Sequence, residues 1–289
     1  MTPESCEALY RKESLKRLFR RFDIRADRDR GQHFLVNRTT LETVADGAGT
    51  GEVVLEVGAG PGSLTCLLKK NFNRTIAVEV DDSFTDLFVE LNQEESVELI
   101  QTDFLNLDFN ELDLKRNGAA SLVGNIPYNI TGKILEKAVD ERDYLSKAVF
   151  TMQKEVADRI LAEVGTKHCG PITYYIQAYG EVSRLAEVPP DDFYPPPEVD
   201  SSIVEIVFTR EKEFDSDEES FFSVIRGLFN YRRKTIRKGF IVAPGFSLEK
   251  DEVDELLERA EIDPQKRPEE LTLEDFDILT THLDNWGKS

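Results

Sequence analysis

The sequence predicts an α/β fold, a doubly wound sheet followed by a small helical domain, and three observations carry that prediction. Short apolar runs bounded by polar residues alternate with helix-like segments from about residue 36 to 165. A glycine-rich turn, Gly58-Ala59-Gly60-Pro61-Gly62, joins the first strong apolar run to a helix-like segment. Strand signals then stop after the acidic stretch Glu211-Lys212-Glu213-Phe214-Asp215-Ser216-Asp217.

Taken in order, Val53 to Val57 reads as a buried strand and Ser63 to Lys70 as the helix after the glycine turn. Thr75 to Val80 is the next strand, and Ser83 to Leu91 the next helix. Val97 to Ile100, Ala120 to Val123 and Ala148 to Met152 follow as short apolar strands, then Glu181 to Val188 and Ser202 to Phe208. Phe221 to Asn285 reads as three or four helices. The expected division is a basic N-terminal extension over 1–30, a catalytic domain over 31–210 and a helical domain over 211–289.

Composition limits the function classes. No run of about 18 apolar residues occurs, and the N-terminus MTPESCEALYRKESLKRLFRRF lacks the apolar centre of a signal peptide. A soluble chain in the cytoplasm, with no membrane partner, is expected. Cys6, Cys66 and Cys169 are scattered singly without a CxxC pair, so neither a disulfide framework nor a zinc cluster is readable, and no metal is expected. His168-Cys169 reads as a turn.

The formal charge of -20 argues against a polyanionic partner, yet the average hides two basic islands. Tyr10 to Arg30 carries Arg11, Lys12, Lys16, Arg17, Arg20, Arg21, Arg25, Arg28 and Arg30 against four acids. Ser220 to Leu248 carries Arg226, Arg232, Arg233, Lys234, Arg237 and Lys238 with no acid. On a helix, Arg233 and Arg237 would share one face, as would Lys234 and Lys238, while Ile236 turns inwards. Arg232, Arg233, Lys234, Arg237 and Lys238 are therefore the candidate phosphate contacts, with a solvated basic face as the alternative.

The chemistry gathers at the strand ends. Glu56 precedes a G-x-G-x-G turn where an open α/β sheet binds ligands. A carboxylate there repels a pyrophosphate but can pair with the ammonium of S-adenosylmethionine. Gly58 and Gly60 allow backbone to approach a ligand closely. Glu79 ends the second strand, a position from which a carboxylate accepts both ribose hydroxyls in nicotinamide and methionine cofactors alike. Asp103 follows the third strand and can accept an adenine amino group, with Phe104 packing on the ring.

The fourth strand runs into Gly124-Asn125-Ile126-Pro127-Tyr128-Asn129-Ile130-Thr131. The exocyclic amine of adenine is a poor nucleophile because its lone pair is delocalised into the ring. The Asn125 side-chain oxygen and a backbone carbonyl next to Pro127 can hold both amino hydrogens and draw the nitrogen towards tetrahedral geometry. Pro127 stiffens the turn, and Tyr128 offers a face for a target base.

On these residues the chain resembles the ribosomal RNA adenine dimethyltransferases of the KsgA and Dim type. The resemblance also includes Gly31-Gln32-His33-Phe34-Leu35, Gln153-Lys154-Glu155-Val156, Phe193-Tyr194-Pro195-Pro196-Pro197-Glu198-Val199-Asp200-Ser201 and Asn230-Tyr231-Arg232-Arg233-Lys234-Thr235. It implies a Rossmann-like S-adenosylmethionine-dependent methyltransferase sheet. It further implies N6,N6-dimethylation of two adjacent adenosines near the 3′ end of small-subunit rRNA, in a pre-30S particle, by a monomer. His33 and Leu35 should then contact the cofactor beside Gly58, Glu79 and Asp103. Asn125 and Tyr128 look like the target-amine and stacking residues. Phe193 looks like a second aromatic slab for a flipped adenosine, although without the resemblance it would be read as core.

Overall fold

The computed structural model describes residues 5–27, 31–115, 119–209, 211–246 and 248–286. Arg28 and Arg30 of the first basic island lie outside them. By its internal contacts the chain divides into two compact units, Met1–Ala157 with Glu181–Phe208, and Asp158–Gly180 with Thr209–Ser289. The sequence expectation put boundaries after residues 30 and 210. Residues 158–180 instead join the second unit, because Tyr174 from the helix Pro171–Gln177 packs its ring 5.5 Å from Phe229 and 5.1 Å from Phe276.

The first unit is built on nine strands: β1 Phe34–Leu35, β2 Gly51–Val57, β3 Phe72–Glu79, β4 Val97–Gln101, β5 Ala120–Asn125, β6 Leu145–Gln153, β7 Gly180–Val188, β8 Phe193–Tyr194 and β9 Ser201–Phe208. Seven form one sheet in the order β4-β3-β2-β5-β6-β9-β7. Pairings from β4 through β6 are parallel, and β9 runs antiparallel to β6. Strands covered on both faces have no wet side, which is why Val54, Leu55, Ile76, Ala77, Leu122, Val123, Val149 and Phe150 read as continuous apolar runs and are buried. The strand order reverses at β2 and β5, paired at Glu56 and Val123. A crevice opens at the carboxyl ends of strands that part in this way.

The expected helix over 63–70 is only Thr65–Leu68, and the one over 83–91 is a 3-10 turn Asp82–Phe84 followed by Thr85–Leu91. The N-terminal segment is no appendage: the helix Lys12–Arg21 places Leu15, Leu18 and Phe19 at i, i+3 and i+4, and all three are buried in the core of this unit. The cysteines correct the sequence reading as well. Cys6 and Cys66 form a disulfide with their Cα atoms 6.0 Å apart. Cys169 is a buried free thiol donating to the Thr166 carbonyl. A pairing across a separation of 60 residues leaves no local signature.

In the second unit the helices after the acidic stretch are Glu218–Phe229, Ile236–Val242, Lys250–Arg259 and Leu273–Asp284. Asp217 and Thr272 cap the first and last by accepting the Ser220 and Asp275 N–H groups. Phe214 stacks on Phe221 at 4.0 Å. The expected basic helix is split: Asn230 to Lys234 form a turn, and the next helix starts at Ile236. Arg237 is also not free, since its guanidinium grips Asp254 at 2.5 and 2.7 Å.

Candidate active site

A cavity of about 110 Å³ lies at the carboxyl edge of β2, β3, β4 and β5. His33, Gly58, Gly60, Glu79, Asp103 and Asn125 line it, so six of the residues expected at the site do meet there. Glu56 and Leu35 do not, nor do Tyr128 and Phe193.

Glu79 is held at the end of β3 by backbone alone. Its Oε1 accepts the N–H groups of Val80 at 2.9 Å and Asp81 at 2.8 Å, and its Oε2 accepts that of Gly60 at 2.7 Å. Burial pushes its pKa up while the three N–H groups favour the charge. Of the roughly four lone-pair positions on a carboxylate, three are thus taken. One remains open beside the cavity, where the expectation has Glu79 accept both ribose hydroxyls.

Gly58 and Gly60 have φ of 67° and 52°, the left-handed region that suits glycine. A Cβ on Gly58 would meet no protein atom within 4 Å, whereas one on Gly60 would come within 3.0 Å of the Phe34 ring. The space over Gly58 is therefore a cradle, open to a ligand and closed to most side chains by backbone strain. Asp103 caps the following turn through the Leu105 N–H at 2.9 Å on Oδ1, which leaves Oδ2 to a ligand beside the ring of Phe104. An adenosine carries hydroxyls and an amine that match these acceptors, and the residues present fit S-adenosylmethionine.

Glu56 departs from its expected role. It is 2% exposed, and its Oε2 accepts from Thr65 Oγ1 at 2.5 Å. Burial pushes its pKa up to about 8, against the Thr65 hydrogen bond, and its Oε2 is turned to the helix behind the glycine turn. An ammonium partner at Glu56 is not supported by this geometry.

Three segments distant in sequence converge on Asn125. Its Nδ2 donates to the His33 carbonyl at 2.5 Å. A carbonyl only accepts, so the contact fixes the orientation of the amide and leaves Oδ1 as an acceptor. His33 Nδ1 in turn meets the Pro195 carbonyl at 2.8 Å, so that nitrogen carries the proton. The His33 ring lies against Tyr128 at 5.6 Å and 24°, and the Tyr128 hydroxyl pairs with Ser201 Oγ at 2.7 Å. The β1–β8 ribbon, with Phe34 opposite Tyr194 and Leu35 opposite Phe193, joins the same two segments.

That ribbon explains two misplacements. Successive strand residues face opposite sides. Phe34 lines the cavity, so Leu35 and its partner Phe193 turn into the core, where Phe193 is 0% exposed. Phe193, expected as an aromatic slab, is thus buried in this structure, and Leu35 does not line the cavity. Phe34, Val80 and Phe84, which the sequence reading passed over, line the cavity instead. Among the described residues no group of three or more metal-ligating side chains occurs.

Comparison with known proteins agrees with this geometry. The family described as "Ribosomal RNA adenine dimethylase" matches residues 24–280. A protein from Alkaliphilus oremlandii named "Ribosomal RNA small subunit methyltransferase A" is 32% identical, covering 93% of this chain and 95% of its own. One of the same name from Desulfitobacterium hafniense is 34% identical, covering 89% and 91%. In fold, the chain is similar to a dimethyladenosine transferase from Plasmodium falciparum, with a TM-score of 0.72, 24% identity, and 87% and 97% of the two chains covered. It is also similar to the 23S rRNA methyltransferase ErmE, with a TM-score of 0.65, 22% identity, and 86% and 99% covered. With a cavity suited to S-adenosylmethionine and an amide poised at its edge, this chain belongs to the ribosomal RNA adenine dimethylase family and is an S-adenosylmethionine-dependent methyltransferase.

Proposed function

We propose that the protein dimethylates N6 of two adjacent adenosines near the 3′ end of small-subunit rRNA, acting as a cytoplasmic monomer on a precursor small subunit. The observation that carries the reading is the Asn125 amide, whose bond to His33 leaves Oδ1 as an acceptor at the edge of the cavity that Glu79 and Asp103 line. The small-subunit assignment is supported by the names of the relatives at 32% and 34% identity. The likeness to ErmE, at 22%, speaks only for the fold.

Bound S-adenosylmethionine supplies an electrophilic methyl group. Glu79 takes a ribose hydroxyl, and Asp103 takes the adenine amine of the cofactor. At the target, Asn125 Oδ1 holds one amino hydrogen. The Pro127 carbonyl is already occupied by the Thr131 hydroxyl at 3.0 Å and the Ile130 N–H at 3.3 Å. The Ile126 carbonyl is therefore the second acceptor. Two acceptors localise the nitrogen lone pair as charge develops, and no strong base is needed. His33 covers one face of Tyr128, and the opposite face stacks the target base. Arg232, Arg233, Lys234 and Lys238 contact rRNA phosphates. Arg237 joins them only by giving up Asp254.

Incubation with tritiated S-adenosylmethionine and immature small subunits, followed by mapping, tests the reading. Label at two neighbouring adenosines near the 3′ end is expected. Label in large-subunit RNA, or none, overturns it.

A further inference from the structure

The wall of the cavity rests on a segment remote from it in sequence. Phe34 and Phe84 line the cavity with their rings 5.3 Å apart. Behind them stands Phe19 of the helix Lys12–Arg21, edge-on to Phe34 at 5.3 Å and tilted to Phe84 at 6.1 Å. Phe34 also abuts Gly60. The segment carrying Phe19 is fastened at its start by the Cys6–Cys66 disulfide, and by buried Leu9, Leu15 and Leu18. Near its end Ile24 is buried and Phe22 packs against the same core, and Arg21 adds a half-exposed ion pair with Glu90 at 3.1 Å, a weak tie beside a covalent bond. Cys66 belongs to the short helix Thr65–Leu68 that leaves the glycine turn, and it neighbours Thr65, which holds Glu56. A single covalent bond thus joins the back of the glycine turn to the segment that backs Phe34 and Phe84.

We propose that the Cys6–Cys66 pair is a thiol–disulfide exchange site for dithiols, and that its state sets the affinity of the cavity for S-adenosylmethionine. The affinity claim rests on the cofactor reading above. Intracellular disulfides are rare outside redox-responsive or thermophilic proteins, because cellular thiols reduce them. Exchange enters at Cys6, which is half-buried, while Cys66 is fully buried. A dithiol thiolate attacks Cys6 Sγ, the S–S bond breaks, and Cys66 leaves as a thiolate that takes up a proton. The second thiol of the reagent then attacks the mixed disulfide and releases Cys6 as a thiol. The dithiol is oxidised to its cyclic disulfide, and two electrons and two protons pass to the protein. With the bond closed, Phe19 is held against the wall before the cofactor arrives. With it open, the cofactor must order that segment on binding, which lowers affinity.

The test compares oxidised protein with protein reduced by dithiothreitol, with the thiol count checked by mass spectrometry. Reduction should weaken S-adenosylmethionine binding by about fivefold or more, the scale of a typical coupling between sites. It should also speed amide exchange over residues 12–21 and 34–35. Reoxidation should restore both, Cys6→Ser should hold the weaker affinity whether or not dithiothreitol is present, and Cys169→Ser should keep the full response. Equal affinity and equal exchange in the two states of the wild type overturn the proposal. Faster exchange on reduction, with no cofactor bound in either state, overturns the cofactor reading and the affinity claim with it.

Discussion

The Asn125 side chain donates to the main-chain carbonyl of His33 at 2.5 Å, so one residue both keeps its Oδ1 as an acceptor at the cavity edge and pins the segment carrying His33. Asn125→Ala should therefore do two things. The single-turnover methylation rate should fall about 100-fold or more, the usual cost of losing a transition-state hydrogen-bond partner. Affinity for S-adenosylmethionine should also fall, by about two- to tenfold, since one hydrogen bond contributes about 0.5–1.5 kcal/mol. Rapid-quench kinetics and calorimetry separate the two effects.

Asp103 holds Leu105 with one oxygen, so its removal also costs a turn cap. Asp103→Ala should weaken S-adenosylmethionine binding by about 10- to 150-fold, from about 1.5–3 kcal/mol for a charged acceptor. Asp103→Asn keeps a capping oxygen but replaces the second acceptor with an NH2 donor and removes the charge. It should bind with intermediate affinity in the same calorimetric titration, and unchanged affinity in both variants would remove Asp103 from the cofactor site.

Glu56 gives a pH signature. Its folded-state pKa, about 8, lies above the ordinary 4.5, so its contribution to stability is complete below about 4.5 and is lost as pH rises through 8. The wild type should unfold at progressively lower temperature between pH 6 and pH 9, and Glu56→Gln should flatten that trend. Glu79 shifts in the same direction and remains in the variant, so some slope should persist. Thermal unfolding of both proteins at matched ionic strength provides the comparison.

The second basic island should be tested at the turn. Arg233 and Lys234 have no ion pair among the described residues, and Arg232 reaches Glu269 only at 3.9 Å. Replacing Arg232, Arg233 and Lys234 together with Gln should weaken binding to small subunits and leave S-adenosylmethionine affinity unchanged. Each lost phosphate contact should flatten the log-log salt slope by about 0.7 to 0.9. Arg237→Gln alone should change binding far less, because Asp254 already neutralises it.

The strands of the central sheet were legible because both of their faces are covered, so each announces itself as a short apolar run without alternation. Glu79 and Asp103 were legible because each stands at the carboxyl end of a strand, the edge where an open α/β sheet binds ligands. What escaped depended on partners far along the chain. Phe193 is core because it pairs with Leu35, and Glu56 faces Thr65 because the helix behind the turn is short and close. Cys6 meets Cys66 through tertiary packing, across 60 residues of sequence. The basic run was misjudged locally: helical spacing was assumed across Arg232 to Lys238, but the chain turns through Lys234 before Thr235 caps the next helix.

The segment from Pro195 to Ser201 meets His33 through a main-chain carbonyl at one end and Tyr128 through a hydroxyl at the other. It therefore works as a caliper, with its length setting the spacing between the His33 segment and Tyr128. Adding or deleting one residue within it would throw the two jaws out of alignment without touching either. Side-chain changes at its exposed Val199 should pass unnoticed, whereas changes of length should not.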